Sequence, residues 1–386
     1  MKHQEPATDR AHGAVVVTGR AMTSSLGHDV VTACAAFRAG LALPRGLDNF
    51  RLHSTTDTKA EAVICHTARE VTDGFEGRAR LLRLLQSGLT DLQRQSRDGP
   101  WLSTRAEFFL SMPDPRRVSR GLARAHDKEA RPAEPEEIEA EEPDEAEAAD
   151  LFRNAARASA WPVDPAVKFV TTSGHTGVAE AVARALVELR KGRIGAAIVG
   201  GVDSLLDEDT LWWLYVTGRL RITGAPVGLR PGEACGFLVL ETRSAATSRG
   251  AAILARIDDV HEARESDTLL SGAPALGKGL AKVLAQAHAG DRLDRAWVIT
   301  DLNGEIYRAT EWGNAIARAS MGASSFQSLT TWHPAVSFGD TGAASGVVSL
   351  CALIEAFRRG YAPADVGIVS SSSDGSLRTA IRVNSY

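Results

Sequence analysis

Two short glycine-bounded motifs carry the residues whose types and positions most readily suggest chemistry. Residues 174–177 read Gly-His-Thr-Gly, and residues 339–342 read Gly-Asp-Thr-Gly. Each motif follows an apolar run and precedes a long helix-forming segment, so His175 and Asp340 are predicted to stand at strand-to-helix turns. Asp340 is typical of an N-cap, which accepts hydrogen bonds from the free amides of the first helical turn. An imidazole and a carboxylate are also the usual parts of an acid–base site.

The four cysteines offer no chemistry of their own in this sequence. They are far apart, lie in apolar surroundings and include no Cys-x-x-Cys pair. The pattern argues against a disulfide framework or a zinc ribbon, and it is typical of a protein of the reducing cytoplasm. We interpret each cysteine as a small buried hydrophobic residue, and we predict no metal or other cofactor. The four are Cys34, Cys65, Cys235 and Cys351.

Composition excludes several broad classes. With 386 residues and 44% hydrophobic content, the chain has enough apolar side chains for a large core. No stretch approaches about 18 consecutive apolar residues, and the polar opening lacks a basic and then apolar leader. We therefore expect no membrane span and no secretory signal, and a cytoplasmic location.

The charge is concentrated in one acidic segment. Residues 127–150 hold 12 acidic and two basic residues, a net −10, so the rest of the chain carries +6 within the formal −4 of the whole. A run this rich in Glu and Pro predicts a disordered surface insertion at about 113–150, either a solvated loop or a segment that docks a partner. The remaining body is weakly basic and has no basic stripe with interleaved aromatic residues, so nucleic-acid binding is not supported.

The two motifs belong to a longer internal repeat. Residues 167–201 and 335–371 each run through an apolar strand, the motif, a long helix ending in a basic residue and glycine, and a second apolar strand. This alignment matches His175 with Asp340 and takes Ala335–Phe338 as a strand. A period near 165 residues is too long for a solenoid and indicates a duplicated α/β unit with buried parallel strands and helices on both faces.

This arrangement resembles the thiolase fold, and within it the β-ketoacyl-ACP synthases. Residues 15–40 resemble that family's first strand, turn and helix, 194–206 the strand with its Gly-Gly pair, and 230–257 the crossing from the first half to the second. The resemblance implies an α/β thiolase fold in which duplicated βαβαβαββ halves form a layered α-β-α-β-α sandwich. It places an N-terminal half at 13–250 and a C-terminal half at 251–386.

The residues that catalyse condensation in that family are absent at the matching positions. The family needs a cysteine nucleophile at the first elbow and two histidines. The resemblance puts His175 at the cysteine position, Asn303 at the first histidine and Asp340 at the second, with Ser173 and Glu305 beside them. We therefore expect a catalytically degenerate protein that is not an enzyme, or whose acyltransferase fold carries an altered site.

Three functions stay open at this point. Residues 46–51 and 77–85 resemble a divergent subgroup encoded near type VI secretion genes, which implies an accessory, adaptor or scaffold protein in effector loading. A second function is that of a non-condensing, chain-length-factor-like partner of an active ketosynthase. The third is a repurposed acyl hydrolase or acyl-binding protein of fatty acid or polyketide metabolism, with Ser173 as nucleophile, His175 as base and Asp340 orienting the base.

The resemblance also implies a dimer, because the family pairs first-half strands across a two-fold axis. The partner would be a second copy or a related chain. Trp212, Trp213 and Tyr215 form an aromatic cluster that either packs in the core or anchors a protein partner. The segment 218–230 is shorter than the usual ketosynthase loop, which counts against an entrance for an acyl carrier protein.

Overall fold

The computed structural model describes residues 13–53, 60–95, 106–126, 145–162, 164–271, 273–289, 297–322, 326 and 328–386. The strands in these ranges are β1 (Val15–Ser24), β2 (Arg45–His53), β3 (Ala60–Cys65), β4 (Ala106–Ser111), β5 (Ala166–Thr171), β6 (Ala196–Ser204), β7 (Glu233–Thr242), β8 (Ala255–Arg264), β9 (Trp297–Thr300), β10 (Thr330–Trp332), β11 (Val366–Ser372) and β12 (Leu377–Asn384). The helices are α1 (Val30–Arg38), α2 (Arg69–Thr72), α3 (Gly77–Gln95), α4 (Arg117–His126), α5 (Glu145–Ala158), α6 (Gly177–Arg190), α7 (Glu208–Val216), α8 (Arg243–Ser248), α9 (Lys278–His288), α10 (Ile306–Gly322), α11 (Ala335–Phe338) and α12 (Ser345–Arg358).

One mixed sheet runs through the molecule and consists of two halves with the same strand order. Its order is β5-β4-β6-β7-β1-β8-β12-β11-β9-β10. In the first half β4 is parallel to β5 and β6, while β7 is antiparallel to β6 and β1. In the second half β9 is parallel to β10 and β11, while β12 is antiparallel to β11 and β8. The halves join where Val15, Val16 and Val17 of β1 pair with β8.

Helices cover both faces of each half of the sheet. Because the two halves share the helices between them, the layers are helix, first half of the sheet, shared helices, second half of the sheet and helix. The apolar faces of α6 and α12 share one core between the two halves of the sheet. On the outer faces, α3 and α5 pack on the first half, while α9 and α10 pack on the second. A Cβ on Gly346 would lie 2.7 Å from Cβ of Val178, so glycine permits the close approach of α12 to α6. The predicted α/β class and α-β-α-β-α layering are confirmed.

The internal repeat is present in the structure, but its register differs from the predicted one. Gly174–Thr176 and Gly342–Ala344 each form a 3₁₀ turn at the start of α6 and α12. Both turns begin with a glycine of positive φ, 61° for Gly174 and 49° for Gly342, a conformation that glycine adopts without strain. Gly174 therefore matches Gly342 rather than Gly339, and Asp340 precedes the second turn by two residues.

The strand predicted at Ala335–Phe338 is a helical turn instead. Pro334 precedes it with φ −55° and ψ −34°. Proline has this φ by its ring geometry and suits the start of a helix, whereas it lacks the amide that a central strand needs. The first strand of the second repeat is Thr330–Trp332, just before the proline.

Two helices fall at least partly within residues 113–150, where a disordered insertion was predicted. Arg117–His126 is helical, and so is Glu145–Ala158. Leu151 and Phe152 of α5 are buried in the outer core of the first half, which orders that helix. Residues 127–144 lie outside the described residues. Within the described residues, no helix is both long and apolar enough to cross a membrane.

Candidate functional site

His175 lies in the turn between β5 and α6, and both of its ring nitrogens have protein partners. Its Nε2 is 2.8 Å from Oδ1 of Asp340, and its Nδ1 is 3.2 Å from Nη2 of Arg308. Because a guanidinium can only donate, Nδ1 of His175 is the acceptor, and Nε2 carries the hydrogen that is donated to Asp340. The neutral ring is thus held in one tautomer between an arginine and a carboxylate.

Asp340 is buried and accepts hydrogen bonds from three directions. Besides His175, the amide of Gly342 donates to Oδ1 at 2.9 Å, and Nδ2 of Asn303 donates to Oδ2 at 2.6 Å. Burial alone would raise the pKa of Asp340, but the charges of His175 and Arg308 and these bonds outweigh it and hold the pKa well below its ordinary value. Burial likewise lowers the pKa of His175, but the charge of Asp340 outweighs it and raises that pKa.

Arg308, on the first turn of α10, is the centre of a network of buried ions. Its Nη1 donates to Asp301 at 2.9 Å and to the carbonyl of Ser372 at 2.7 Å, and its Nη2 donates to Asp374 at 3.0 Å. Burial lowers the pKa of Arg308, but the surrounding carboxylates, Asp301 first among them, outweigh it and raise that pKa. Arg308 is therefore charged and joins the loops after β9 and β11 to the His175 turn.

Arg219, in the loop after α7, is held by two carboxylates at once. Its Nε donates to Glu305 at 2.6 Å, and its Nη1 donates to Asp374 at 2.7 Å. The guanidinium also lies over the ring of Trp213, 5.0 Å from the centroid. Burial lowers the pKa of Arg219, but Asp374 and Glu305 outweigh it and raise that pKa. Asn303 completes the network, since its amide also donates to Glu305 at 2.8 Å.

These side chains fill the space beside His175. The cavity that His175, Asp301 and Asp340 line has a volume of about 10 Å³. A single water needs about 10–15 Å³, so an acyl group does not fit in this arrangement.

Four of the five predicted site residues lie together in the structure. His175, Asn303, Glu305 and Asp340 belong to one network, whereas the hydroxyl of Ser173 is 3.0 Å from that of Thr171. Both nitrogens of His175 are taken by other groups, so the described residues do not assemble a Ser-His-Asp triad. Nor do the described residues contain a group of three or more His, Cys, Asp or Glu side chains arranged to hold a metal.

None of the four cysteines has the environment of a nucleophile. All are buried and free. Burial raises the pKa of Cys65 and of Cys351 to about 12, and it raises the pKa values of Cys34 and Cys235 well above their ordinary value. Thiolate chemistry at neutral pH is therefore disfavoured at every cysteine.

The aromatic cluster divides between the core and the surface. Trp213 is 6% exposed and packs beneath Arg219, whereas Trp212 is 50% exposed. The rings of Trp212 and Tyr215 lie 5.7 Å apart. Of these three aromatic side chains, only that of Trp212 is exposed.

Comparisons with known proteins give a fold but no sequence family. No protein-family model and no curated protein matches the chain. Among solved structures, a chain from a type II polyketide synthase acyl-carrier protein in complex with its ketosynthase, bound to the hexaketide, has a TM-score of 0.73 at 16% identity, covering 97% of this chain and 99% of that chain. The ishigamide ketosynthase/chain length factor has a TM-score of 0.68 at 17% identity, covering 96% and 99%.

A third similar structure is the oxazolomycin ketosynthase domain of Streptomyces albus JA3453. Its TM-score is 0.69 at 14% identity, and the match covers 97% of this chain and 74% of that domain. The chain has the thiolase-like ketosynthase fold. At these identities the likeness shows the ketosynthase fold alone, and the activity has to be argued from the site.

Sequence reasoning missed half of the network within this ketosynthase fold: Arg219, Arg308, Asp301 and Asp374. One available signal was strand direction. β9 and β11 are parallel neighbours, so the residues after their carboxyl ends, Asp301 and Asp374, meet at one edge of the sheet. The position of Arg308 three residues after Glu305 puts both on one face of a helix start, which was a second signal.

Proposed function

We propose that this protein acts by binding, as a non-condensing member of the ketosynthase-fold proteins. The observation that carries the proposal is the ionic network of Arg219 and Arg308, which takes up the space beside His175 where the resemblance places the reacting thioester. Removing one partner of a buried ion pair costs about 3–5 kcal/mol, so opening this network to a substrate would be expensive. The buried cysteines, with raised pKa values, offer no substitute nucleophile.

The role favoured within this proposal is that of a partner chain for an active ketosynthase. It is supported by the likeness to a ketosynthase/chain length factor over 96% of this chain. An acyl carrier protein is a candidate further partner, since another similar structure holds one in complex with its ketosynthase. The adaptor role in type VI secretion rests on two short sequence motifs, and nothing in the structural comparisons adds to it.

The edge strand β5 offers a surface for such a partner. It is the terminal strand of the sheet in the described residues, and Ala166 and Lys168 on it are exposed. An exposed edge presents unpaired backbone groups to a second strand. We therefore expect a dimer across β5, with a second copy of the chain or with a related ketosynthase.

Catalytic competence is tested by mass spectrometry of the intact protein after incubation with acyl thioesters of several chain lengths. The expected result is an unmodified mass under conditions in which an active ketosynthase, run in parallel, becomes acylated. An acyl adduct on Ser173, His175 or any cysteine, or turnover of the thioester, would overturn the proposal.

The partner role is tested by co-expression with a cysteine-bearing ketosynthase, followed by light scattering of the purified complex. We expect a stable heterodimer, which Lys168→Pro weakens because proline removes an amide from the edge strand. Lys168→Ala, which keeps the amide, is the matched control and should pair normally. A stable homodimer that never exchanges with the ketosynthase would contradict the partner role while leaving the non-condensing site untouched.

A further inference from the structure

A second cavity lies between the β2–β3 hairpin and the loop that follows α7. Its volume is about 250 Å³, and it shares no lining residue with the cavity beside His175. One wall is apolar, with Leu52 and Val63 from the hairpin and Ile222 from the loop. The cavity has far more room than the 10–15 Å³ that one water needs.

This cavity is also lined by Arg230, whose side chain has no hydrogen-bond or ion-pair partner among the described residues. Arg230 is half-buried, its Nε is buried without a hydrogen bond, and its guanidinium makes no ion pair within the described part of the chain. By contrast, the deeply buried Arg20, Arg308 and Arg378 each contact a carboxylate. A partly buried guanidinium with unsatisfied donors is costly, and an anion in the cavity would remove that cost.

No carboxylate among the described residues lies within ion-pair distance of Arg230. Burial, together with the charge of Arg230, lowers the pKa of the buried His66 to about 4, so His66 is neutral at physiological pH. A carboxylate, Glu61, also lines the cavity; it accepts a hydrogen bond from Thr223 and forms no ion pair with Arg230. A second arginine, Arg221, lines the same cavity, is exposed and also has no partner among the described residues.

We propose that this cavity binds an amphipathic anion whose carboxylate or phosphate head is held by Arg230 and Arg221. A short apolar tail packs against Leu52, Val63 and Ile222. Guanidinium groups bind both kinds of head through paired hydrogen bonds, so the shared chemistry is a planar or tetrahedral oxyanion on a hydrocarbon stem. The site shares no lining residue with the cavity beside His175, although the amide of Asp340 donates to the carbonyl of Arg230 at 2.8 Å. The proposal does not depend on the proposed non-condensing role.

Calorimetry with matched probes tests this site and distinguishes the two heads. We expect hexanoate and hexyl phosphate to bind one to one, and the tighter of the two identifies the preferred head. Inorganic phosphate, which lacks the tail, should bind at least tenfold more weakly, and hexan-1-ol, which lacks the charge, should not bind measurably. Absence of binding by both charged probes, or equal binding of hexan-1-ol, would overturn the proposal.

Two variants assign the binding to the arginines. Arg230→Met should weaken binding of the tighter-binding charged probe at least tenfold. Arg221→Met should weaken it two- to fivefold, because Arg221 is more exposed. Arg69→Met, at an exposed ion pair outside the cavity, is the matched control and should leave affinity unchanged. Since the Arg230 side chain has no partner to lose among the described residues, Arg230→Met should keep the melting temperature of the unliganded protein. A marked drop in that temperature with unchanged affinity would assign Arg230 a structural role and contradict the proposal.

Discussion

At the scale of single residues, one guanidinium decides what the site beside His175 can do. Arg308 contacts groups from the loops after β9 and β11 and from the turn before α6. Its donation to Nδ1 of the neutral His175 competes with protonation of that nitrogen, so a proton taken up there replaces this hydrogen bond and the resulting imidazolium pairs with Asp340. The same contacts make Arg308 a structural centre whose loss leaves Asp301 without an ion pair and leaves Asp374 and Glu305 with Arg219 alone.

Arg308→Met should lower the free energy of unfolding by about 3–5 kcal/mol at pH 7, since it leaves Asp301 unpaired and removes one of the two arginines from Asp374 and Glu305. Urea unfolding measures the change. Arg69→Met, which breaks an exposed pair with Asp73, should cost at most about 1 kcal/mol. An equal loss of unfolding free energy in the two variants would show that the contacts of Arg308 contribute no more stability than an exposed ion pair.

Asp340→Asn should lower stability most between about pH 4 and pH 6.5. The depressed pKa of Asp340 contributes stability above the ordinary Asp value near 3.9, which is lost as pH falls towards the lower folded value. The raised pKa of His175 contributes stability below its ordinary value near 6.5, which is lost as pH rises through the higher folded value. Urea unfolding of both proteins across pH 3–9 should show the difference, about 3 kcal/mol at its largest, shrinking on both sides. A difference in stability that is constant with pH would contradict the electrostatic coupling between His175 and Asp340.

The sequence alone allowed prediction of the polar members of the site but not of its charge balance. His175 and Asp340 were found because they occupy glycine-bounded turns, and Asn303 and Glu305 because the family resemblance points to that loop. Arg219 was missed because its position in a loop gives no periodic signal. It meets Glu305 and Asp374 only after the loop folds over the end of the second half.

At the scale of elements, α7 separates a structural tryptophan from an exposed one. Trp213→Ala should lower the free energy of unfolding by about 3–5 kcal/mol, because it leaves a cavity beneath Arg219. Trp212→Ala, on the half-exposed side of the same helix, should cost at most about 1 kcal/mol. Urea unfolding of the two variants is the measurement, and a reversed order would show that the two side chains have been assigned to the wrong faces.

The 3₁₀ turn that begins at Gly342 should tolerate substitution of its glycine less well than an ordinary helix end does. Gly342 has φ 49°, and a Cβ there would lie 2.2 Å from Oδ2 of Asp203, which accepts a hydrogen bond from the amide of Ala343. Gly342→Ala should therefore cost about 3 kcal/mol. Gly192 has φ 65° but open space around it, so Gly192→Ala should cost only about 1 kcal/mol. Thermal unfolding compares them, and equal losses would argue against the clash with Asp203.

The elements themselves were more predictable than their register. The repeat of strand, turn, helix and strand was visible in the sequence because apolar runs and glycines recur in order. Its alignment was wrong by three residues, since both copies contain Gly-x-Thr-Gly and only the backbone shows which glycine begins the turn. The shared Gly-x-Thr-Gly motif therefore predicted the order of the elements in both copies, but it did not predict which residues of the two copies are equivalent.

At the scale of the whole molecule, α6 and α12 tie the two halves together through one apolar core. The fold was predictable at this level because the family resemblance spanned both halves. The shared core predicts one cooperative unfolding transition, since neither half retains its central layer without the other.

Thiol labelling across a urea titration tests that cooperativity. Cys34 and Cys351 are buried in the shared core, Cys235 is buried in the outer core of the first half, and Cys65 is buried on the hairpin. We expect Cys34, Cys235 and Cys351 to become reactive in a single transition that coincides with the loss of helical circular dichroism. Labelling of Cys235 at a lower urea concentration than Cys351 would show that the halves unfold separately.

The position of β1 between β7 and β8 has a consequence for synthesis on the ribosome. Thr18 of β1 donates to Glu241, 223 residues later in the chain. At ordinary elongation rates of 5–20 residues per second, roughly 10–45 s pass before that partner has been made. Throughout this time the apolar run that forms β1 has neither of its neighbouring strands, so we expect this run to be the part of the nascent chain most exposed to non-native contacts until β7 appears.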